Sequence, residues 1–261
     1  MPAHGDPLFS VAGKNVLVTG GSRGVGYMVA SGLLDRGARV TISARKAEPL
    51  QRAADALQER GECDAVVADL SRPDGVASLV AAVRERDEPL DVLVNNAGAT
   101  WGDPVEIFPV DGWNKVMDTN VRGVFLLTAG LLPELRAAAD RDGPARVINV
   151  GSIHGLAPPA DIDNFPYTAS KAAVHMLTRH LARFLAPQIT VNALAPGSFS
   201  SKMTAHLLDD AEKHAEIVAA TPLGRIGEAD DIVGATIFLA SRAGAFMTGT
   251  VTVVDGGVSG C

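Results

Sequence analysis

A short apolar run that leads directly into a glycine-rich turn constrains the fold of this chain more than any other feature. The run Asn15–Thr19 is apolar and rich in β-branched residues, which is typical of a buried strand in a parallel sheet. Gly20, Gly24 and Gly26 follow with the spacing Gly-x-x-x-Gly-x-Gly, and a helical apolar pattern begins there. Glycines let backbone N–H groups approach a phosphate at a helix N-terminus, where the helix dipole favours negative charge. The segment therefore predicts a strand, a phosphate-binding turn and a helix in that order.

Strand-like and helix-like patterns alternate along the rest of the chain. The strand-like runs are Asn15–Thr19, Arg39–Ser43, Ala65–Ala68, Asp91–Asn95, Arg146–Val150, Thr190–Leu194 and Thr250–Val254. The amphipathic helical patterns include Ala47–Arg60, Asp74–Glu85 and Asp111–Ala139. This alternation predicts an α/β fold, a doubly wound Rossmann-type parallel sheet of about seven strands covered on both faces. No internal repeat or break in composition divides the chain, so 1–261 is predicted to be a single domain.

Composition excludes several classes of function. The net charge of −7 provides no basic surface for nucleic acid. Cys63 and Cys261 form no disulfide framework, which favours a reducing cytoplasm. The first residues lack the charged and apolar regions of a signal peptide, and no run of 18 apolar residues predicts a membrane span. No His-Glu-x-x-His or Cys-x-x-Cys motif supports a metal site. A soluble, cytoplasmic protein is expected.

Tyr167 and Lys171 form a second motif, Tyr-Thr-Ala-Ser-Lys. Residues four apart on a helix project from the same face, so the phenol and the ammonium are expected to be neighbours. A free tyrosine has a pKa near ~10. A nearby ammonium favours the phenolate and is expected to lower that pKa towards neutral pH, where the tyrosine could transfer a proton. The motif alone has little specificity, and its value comes from the glycine-rich turn in the same chain.

The joint pattern resembles the short-chain dehydrogenase/reductase family. It consists of Thr19-Gly-x-x-x-Gly-x-Gly26, Asn95-Asn-Ala-Gly98, Asn120, Ser152, Tyr167, Lys171 and Pro196-Gly197, and it spans nearly the whole chain. The resemblance implies an oxidoreductase that moves a hydride between a nicotinamide cofactor and a carbonyl/alcohol pair. Ser152 would polarise the carbonyl and Tyr167 would protonate it. Lys171 would contact the nicotinamide ribose, and Asn120 would hold a water that links Lys171 to solvent.

The resemblance also assigns the cofactor contacts and favours NADP(H). Ala44 stands where NAD-preferring relatives carry an acid, while Arg23 and Arg45 could bind a 2′-phosphate. The expected cofactor-binding residues are Gly20, Ser22, Arg23, Gly24, Val25, Gly26, Arg45, Asp69, Leu70, Asn96, Ala97, Gly98, Tyr167, Lys171, Pro196 and Gly197.

Within the family, the chain looks most similar to the β-ketoacyl reductases, a group that includes the reductase of the rhamnolipid pathway. A 3-oxoacyl thioester is therefore one expected substrate, and a sugar, a steroid or another small ketone stays open as the alternative. Residues 198–222 form a candidate lid over this small-molecule substrate. The helices at 111–139 and 167–185 pair across a two-fold axis in relatives, which predicts a homotetramer.

A non-catalytic NADP-binding sensor is disfavoured because all four catalytic residues are present. A serine hydrolase built on Gly20-Gly-Ser22-Arg-Gly24 is disfavoured because no earlier strand could supply an oxyanion hole.

Overall fold

The fold is seen in a computed structural model that describes residues 6–159, 162–200 and 210–260. Its centre is a parallel sheet of seven strands in the order β3-β2-β1-β4-β5-β6-β7. The strands are β1 Asn15–Thr19, β2 Arg39–Ala44, β3 Cys63–Val67, β4 Val92–Asn95, β5 Ala145–Val150, β6 Ile189–Pro196 and β7 Val251–Val254. The single-domain α/β fold and the seven strands that the sequence predicts are confirmed.

Helices cover both faces of the sheet. They are α1 Gly24–Leu34, α2 Ala47–Gln58, α3 Pro73–Arg84, α4 Val110–Met117, α5 Gly123–Gly130, α6 Leu132–Asp142, α7 Phe165–Leu185, α8 Ala211–Ala219 and α9 Ala229–Ala240. Among the described residues, no helix is both long enough and apolar enough to cross a membrane.

Strand β1 shows why two separate cores form. Val16 and Val18 pack with α1, α2 and α9, whereas Leu17 between them packs with α3, α5 and α6. Successive side chains of a strand point to opposite faces of the sheet, so an uninterrupted apolar run supplies both cores. All five side chains of β1 are buried.

The order of the strands reverses between β1 and β4, and a crevice opens there at the carboxyl ends of the strands. Hydrogen bonds hold the two strand ends together. The backbone N–H groups of Asn96 and Ala97 each donate to Thr19 Oγ1 at 3.0 Å. Asn96 Nδ2 donates to the Thr19 carbonyl oxygen at 2.9 Å. These bonds fix the floor of the crevice, so Asn96 and its neighbours have a structural task beside any contact with a cofactor.

The single helix predicted at 111–139 is wrong, because the structure divides this region into α4, α5 and α6. A π-helical turn, Asp118–Arg122, separates α4 from α5 and carries Asn120. Leu131 leaves the helical conformation before α6, and Pro133 lies at the start of that helix. Proline has no N–H to bond to the preceding turn, so it favours a helix start at this position.

The predicted lid at 198–222 is described only in part. Phe199 is 3% exposed and forms an isolated parallel bridge with Gly227, and α8 forms the end of the segment. Residues 201–209 lie outside the described residues, and with them the apolar candidates Met203, Leu207 and Leu208.

Candidate active site

The glycine-rich turn has the geometry of a phosphate cradle. Gly20 and Gly24 adopt φ values of +69° and +55°, a region that side chains disfavour. Helix α1 begins at Gly24, and Arg23 before it makes no side-chain cap hydrogen bond. The first N–H groups of a helix have no partner within it, so those of α1 point out of the helix end towards the crevice. A phosphate is a suitable partner for such groups.

Gly26 acts by close packing. It does not line the crevice, and a Cβ atom built there would lie 2.5 Å from the Gly20 carbonyl oxygen. Only hydrogen fits between α1 and the turn at this position.

The crevice is a cavity of about 410 Å³ along the carboxyl edge of the sheet. This volume lies within the range of pockets for small molecules and cofactors, about 300–1,000 Å³. With the exception of Gly26, every cofactor-binding residue expected from the sequence lines it. Residues that the expected set omitted also line it, among them Ser43, Ala44, Lys46, Pro49, Ala68, Ala99, Thr119, Gly151 and Phe199. Most of these adjoin the predicted positions at the same strand ends, which is the signal that could have identified them.

One end of the cavity is basic. Ala44 ends β2, Arg45 and Lys46 follow it, and all three line this end, so no carboxylate stands at position 44. Asp69, beyond β3, also lines the cavity, and its Oδ1 accepts hydrogen bonds from the Ser71 backbone N–H at 3.1 Å and from the Ser71 hydroxyl at 2.7 Å.

The other end holds Ser152, Tyr167 and Lys171. Ser152 follows β5 and lies close enough to the Tyr167 side chain to oppose the rise of its pKa. Lys171 lies one turn after Tyr167 on α7, with its Nζ 5.5 Å from the centroid of the tyrosine ring. The same Nζ donates to the Val150 carbonyl oxygen at 2.7 Å. The structure therefore brings the three side chains together at one end of the cavity.

Burial shifts the protonation of both residues of the helical motif. It raises the pKa of Tyr167 above its usual value, and the hydrogen bond with Ser152 only partly opposes this shift. Burial also lowers the pKa of Lys171 to about 8. The expected lowering of the tyrosine pKa by the ammonium is therefore not what this structure has, because the loss of hydration outweighs it.

Asn120 lies in the π-helical turn behind the cavity, not on its lining. Its Oδ1 accepts from the Ala99 N–H at 2.7 Å, and its Nδ2 donates to the Ala99 carbonyl oxygen and to Ser170 Oγ, each at 2.9 Å. A Cβ atom built on Gly98 would lie 3.6 Å from Asn120 Oδ1 and 3.8 Å from Lys171 Nζ, so these two groups flank Gly98. Single π turns are frequent at functional sites.

Together these features fit a dinucleotide phosphorylated on its ribose. The free helix end and the two glycines suit a pyrophosphate, and the basic end suits an additional phosphate. Ser152, Tyr167 and Lys171 stand where the reacting end of such a molecule would lie, and their hydroxyl and ammonium groups can move a proton.

Comparison with known proteins also indicates an enzyme that uses such a dinucleotide. A family model described as enoyl-(acyl carrier protein) reductase matches residues 20–259. A rhamnolipids biosynthesis 3-oxoacyl-[acyl-carrier-protein] reductase of Pseudomonas aeruginosa is 47% identical, over 96% of this chain and 98% of the relative. A gluconate 5-dehydrogenase of Gluconobacter oxydans is 37% identical over 98% of each chain.

Solved structures agree with this result. The NADP active-site complex of Pseudomonas aeruginosa RhlG superimposes with a TM-score of 0.93 at 47% identity, covering 97% of this chain and 99% of that one. The expected family and cofactor are thereby confirmed. The chain belongs to the short-chain dehydrogenase/reductase family and is an NADP-dependent oxidoreductase that interconverts a carbonyl and a secondary alcohol.

Proposed function

We propose that this enzyme reduces a 3-oxoacyl thioester to the 3-hydroxyacyl product with NADPH. The observation that carries the proposal is the placement of Ser152 and Tyr167 together at the end of the cavity, in a chain 47% identical to a 3-oxoacyl-[acyl-carrier-protein] reductase. The pair offers two hydroxyl groups to a single carbonyl oxygen, which is what carbonyl reduction requires.

Four residues carry the proposed chemistry. NADPH, when bound, supplies the hydride that forms the new C–H bond at the carbonyl carbon. Ser152 hydrogen-bonds the carbonyl oxygen, and Tyr167 gives its hydroxyl proton to that oxygen as negative charge develops there. Lys171 binds the nicotinamide ribose and stabilises the phenolate that remains on Tyr167. The Lys171 ammonium then returns a proton to the phenolate, and Asn120 positions a water through which Lys171 recovers that proton from solvent.

The basic end of the cavity accounts for cofactor choice. Arg23 and Arg45 bind the 2′-phosphate, and Asp69 hydrogen-bonds the adenine. Hydrogen bonds to charged groups contribute about 1.5–3 kcal/mol each. Gly20, Ser22 and Gly24 hold the pyrophosphate, while Pro196 and Gly197 hold the carboxamide of the nicotinamide. The remaining residues of the expected set form the walls of the crevice and contact the cofactor there: Val25, Leu70, Asn96, Ala97 and Gly98.

The proposed enzyme is a cytoplasmic homotetramer. Large apolar side chains of α4, α5 and α7 are exposed, and we assign them to contacts between subunits: Trp113, Phe125, Met176 and Phe184. Val124 and Leu131 are buried within the chain itself and do not contribute to such contacts. A mass near 108 kDa by light scattering, four times the 27.0 kDa of the chain, is expected. A mass of 27 kDa at micromolar concentration would contradict the assembly.

The segment 198–222 is proposed to cover the substrate. Phe199 lines the cavity, and α8 supplies the partly buried Ile217 and Val218. Asp210, Glu212 and Glu216 are exposed on the same segment and make it acidic. An acidic rim repels an acidic carrier protein, which favours a free thioester as substrate over a carrier-bound one.

A sugar acid is the second candidate, favoured by the 37% identity to a gluconate 5-dehydrogenase over 98% of each chain. One assay separates the two. Acetoacetyl-CoA, a longer 3-oxoacyl-CoA and 5-ketogluconate are each offered with NADPH, and loss of NADPH absorbance is followed. Oxidation of NADPH with the thioesters is the expected result. Turnover of 5-ketogluconate in a preparation that reduces neither thioester would replace the proposal with the sugar-acid alternative.

A further inference from the structure

His154 contacts both hydroxyl-bearing residues of the site. It lies in a short 3₁₀ turn, Ile153–Gly155, that directly follows Ser152. Its backbone N–H donates to Ser152 Oγ at 3.2 Å. Its ring packs edge-to-face against the Tyr167 ring, with centroids 6.2 Å apart and an interplanar angle of 87°. A substrate held by Ser152 and Tyr167 therefore lies next to this imidazole.

The two nitrogens of the His154 ring differ. Nδ1 is buried and has no hydrogen-bond partner among the described residues, although the His154 side chain as a whole is only partly buried. Burial lowers the pKa of His154, so the ring is neutral at pH 7 and carries one N–H. A buried N–H without an acceptor is costly. The proton therefore belongs on Nε2, and the ring offers a neutral hydrogen-bond donor beside Tyr167.

We propose that His154 Nε2–H binds a second oxygen of the substrate, the thioester carbonyl oxygen, and so selects 3-oxoacyl thioesters over simple ketones. The inference rests on the proposed function. In a 3-oxoacyl thioester the second carbonyl is two carbons from the reacting one, so a single small molecule reaches both Tyr167 and its neighbour. A neutral donor suits an uncharged carbonyl oxygen, which accepts one hydrogen bond without requiring a counter-charge.

Two variants separate hydrogen bonding from packing. His154→Phe keeps an aromatic ring against Tyr167 and removes the N–H, whereas His154→Gln removes the ring and keeps an N–H donor of similar reach. We expect His154→Phe to raise KM for acetoacetyl-CoA about fivefold or more, the effect of one lost hydrogen bond to a buried acceptor, with kcat within about threefold. His154→Gln should hold KM within about threefold of the parent. The Kd for NADPH, measured by fluorescence, should be unchanged in both and serves as the control for folding.

Two outcomes overturn the inference. An unchanged KM in His154→Phe excludes a hydrogen bond to the substrate. A loss of kcat in His154→Gln, with both kcat and KM unchanged in His154→Phe, indicates that His154 only supports Tyr167 by packing. Failure of the parent enzyme to reduce any thioester is a different result, because it removes the proposed function itself.

Discussion

Replacement of Gly26 by alanine tests whether the packing of α1 against the turn, and not only the conformation of the turn, creates the phosphate cradle. A Cβ atom on Gly26 would lie 2.5 Å from the Gly20 carbonyl oxygen and closer still to Asn96 Nδ2. That nitrogen donates to the Thr19 carbonyl oxygen at 2.9 Å and to the Gly20 carbonyl oxygen at 3.3 Å. The added methyl group must displace backbone or break these bonds.

The expected cost follows from these contacts. Overpacking of a rigid region costs about 1–3 kcal/mol. Loss of the Asn96 hydrogen bonds adds about 1–3 kcal/mol if buried groups are left unpaired. Alanine in place of glycine within a helix returns about 1 kcal/mol. Gly26→Ala should therefore lower the free energy of unfolding by about 1–5 kcal/mol, and it should weaken NADPH binding at least tenfold because the Gly20 turn moves.

Gly234 supplies the matched control. It also lies within a helix, α9, but it is exposed, and a Cβ atom built there has no neighbour within 4 Å. Gly234→Ala should raise stability by about 0.5–1 kcal/mol through helix propensity alone. Urea unfolding followed by circular dichroism compares both variants with the parent, and fluorescence titration gives the Kd for NADPH. Equal stability of the two variants, with unchanged NADPH binding in Gly26→Ala, would refute the reasoning.

Three further substitutions test the site. Tyr167→Phe should lower kcat by about 10²–10⁴ through loss of the proton donor, with the Kd for NADPH within twofold; more than a tenth of the parent rate would contradict the assignment. Ala44→Asp places a carboxylate at the basic end of the cavity, so the kcat/KM ratio of NADPH to NADH should fall at least tenfold from a parent value of ten or more; an unchanged ratio would place the 2′-phosphate elsewhere. Lys171→Met should abolish activity yet raise stability at pH 7 by up to about 3 kcal/mol, because burial lowers the lysine pKa from 10.5 to about 8. The folded chain releases this proton at lower pH than the unfolded chain, so the cost of Lys171 is complete below pH 8 and vanishes as pH rises to 10.5. Melting temperatures measured from pH 7 to pH 10 should therefore converge, and a constant difference would show that packing decides the change.

Every strand end could be predicted to within two residues, because the central strands of the sheet are buried on both faces. Such strands are continuous apolar runs, which differ from the amphipathic pattern of the helices that flank them. The predicted Asn15–Thr19 is β1 without any change at either end.

The prediction of a single helix at 111–139 failed because the apolar spacing of this region continues through the π turn. Asn120 is held in that turn by partners far along the chain, Ala99 and Ser170, which no local pattern contains. Pro133 was a visible signal for the start of α6.

The cofactor cavity was predictable for a related reason. Its lining comes from the carboxyl ends of parallel strands and the turns after them, so any residue at such a position is a candidate. Gly26 belongs to the predicted turn but does not line the cavity, since spacing cannot distinguish a glycine that contacts a ligand from one that permits close packing. The contact of His154 with Tyr167 was missed because the sequence alone does not fix the orientation of a side chain in the loop that follows a strand.

Burial shifts the pKa values of Tyr167 and Lys171 in opposite directions, and both shifts favour reduction. It raises the pKa of Tyr167, which keeps the phenol protonated, the form that must give a proton to a carbonyl oxygen. It lowers the pKa of Lys171 to about 8, which makes the ammonium a better proton donor near neutral pH. Once Tyr167 has lost its proton, a phenolate stands near an ammonium in a site with little water, and the attraction between them is strongest there. The ammonium that the sequence assigns to lowering the tyrosine pKa therefore acts mainly after the proton has moved.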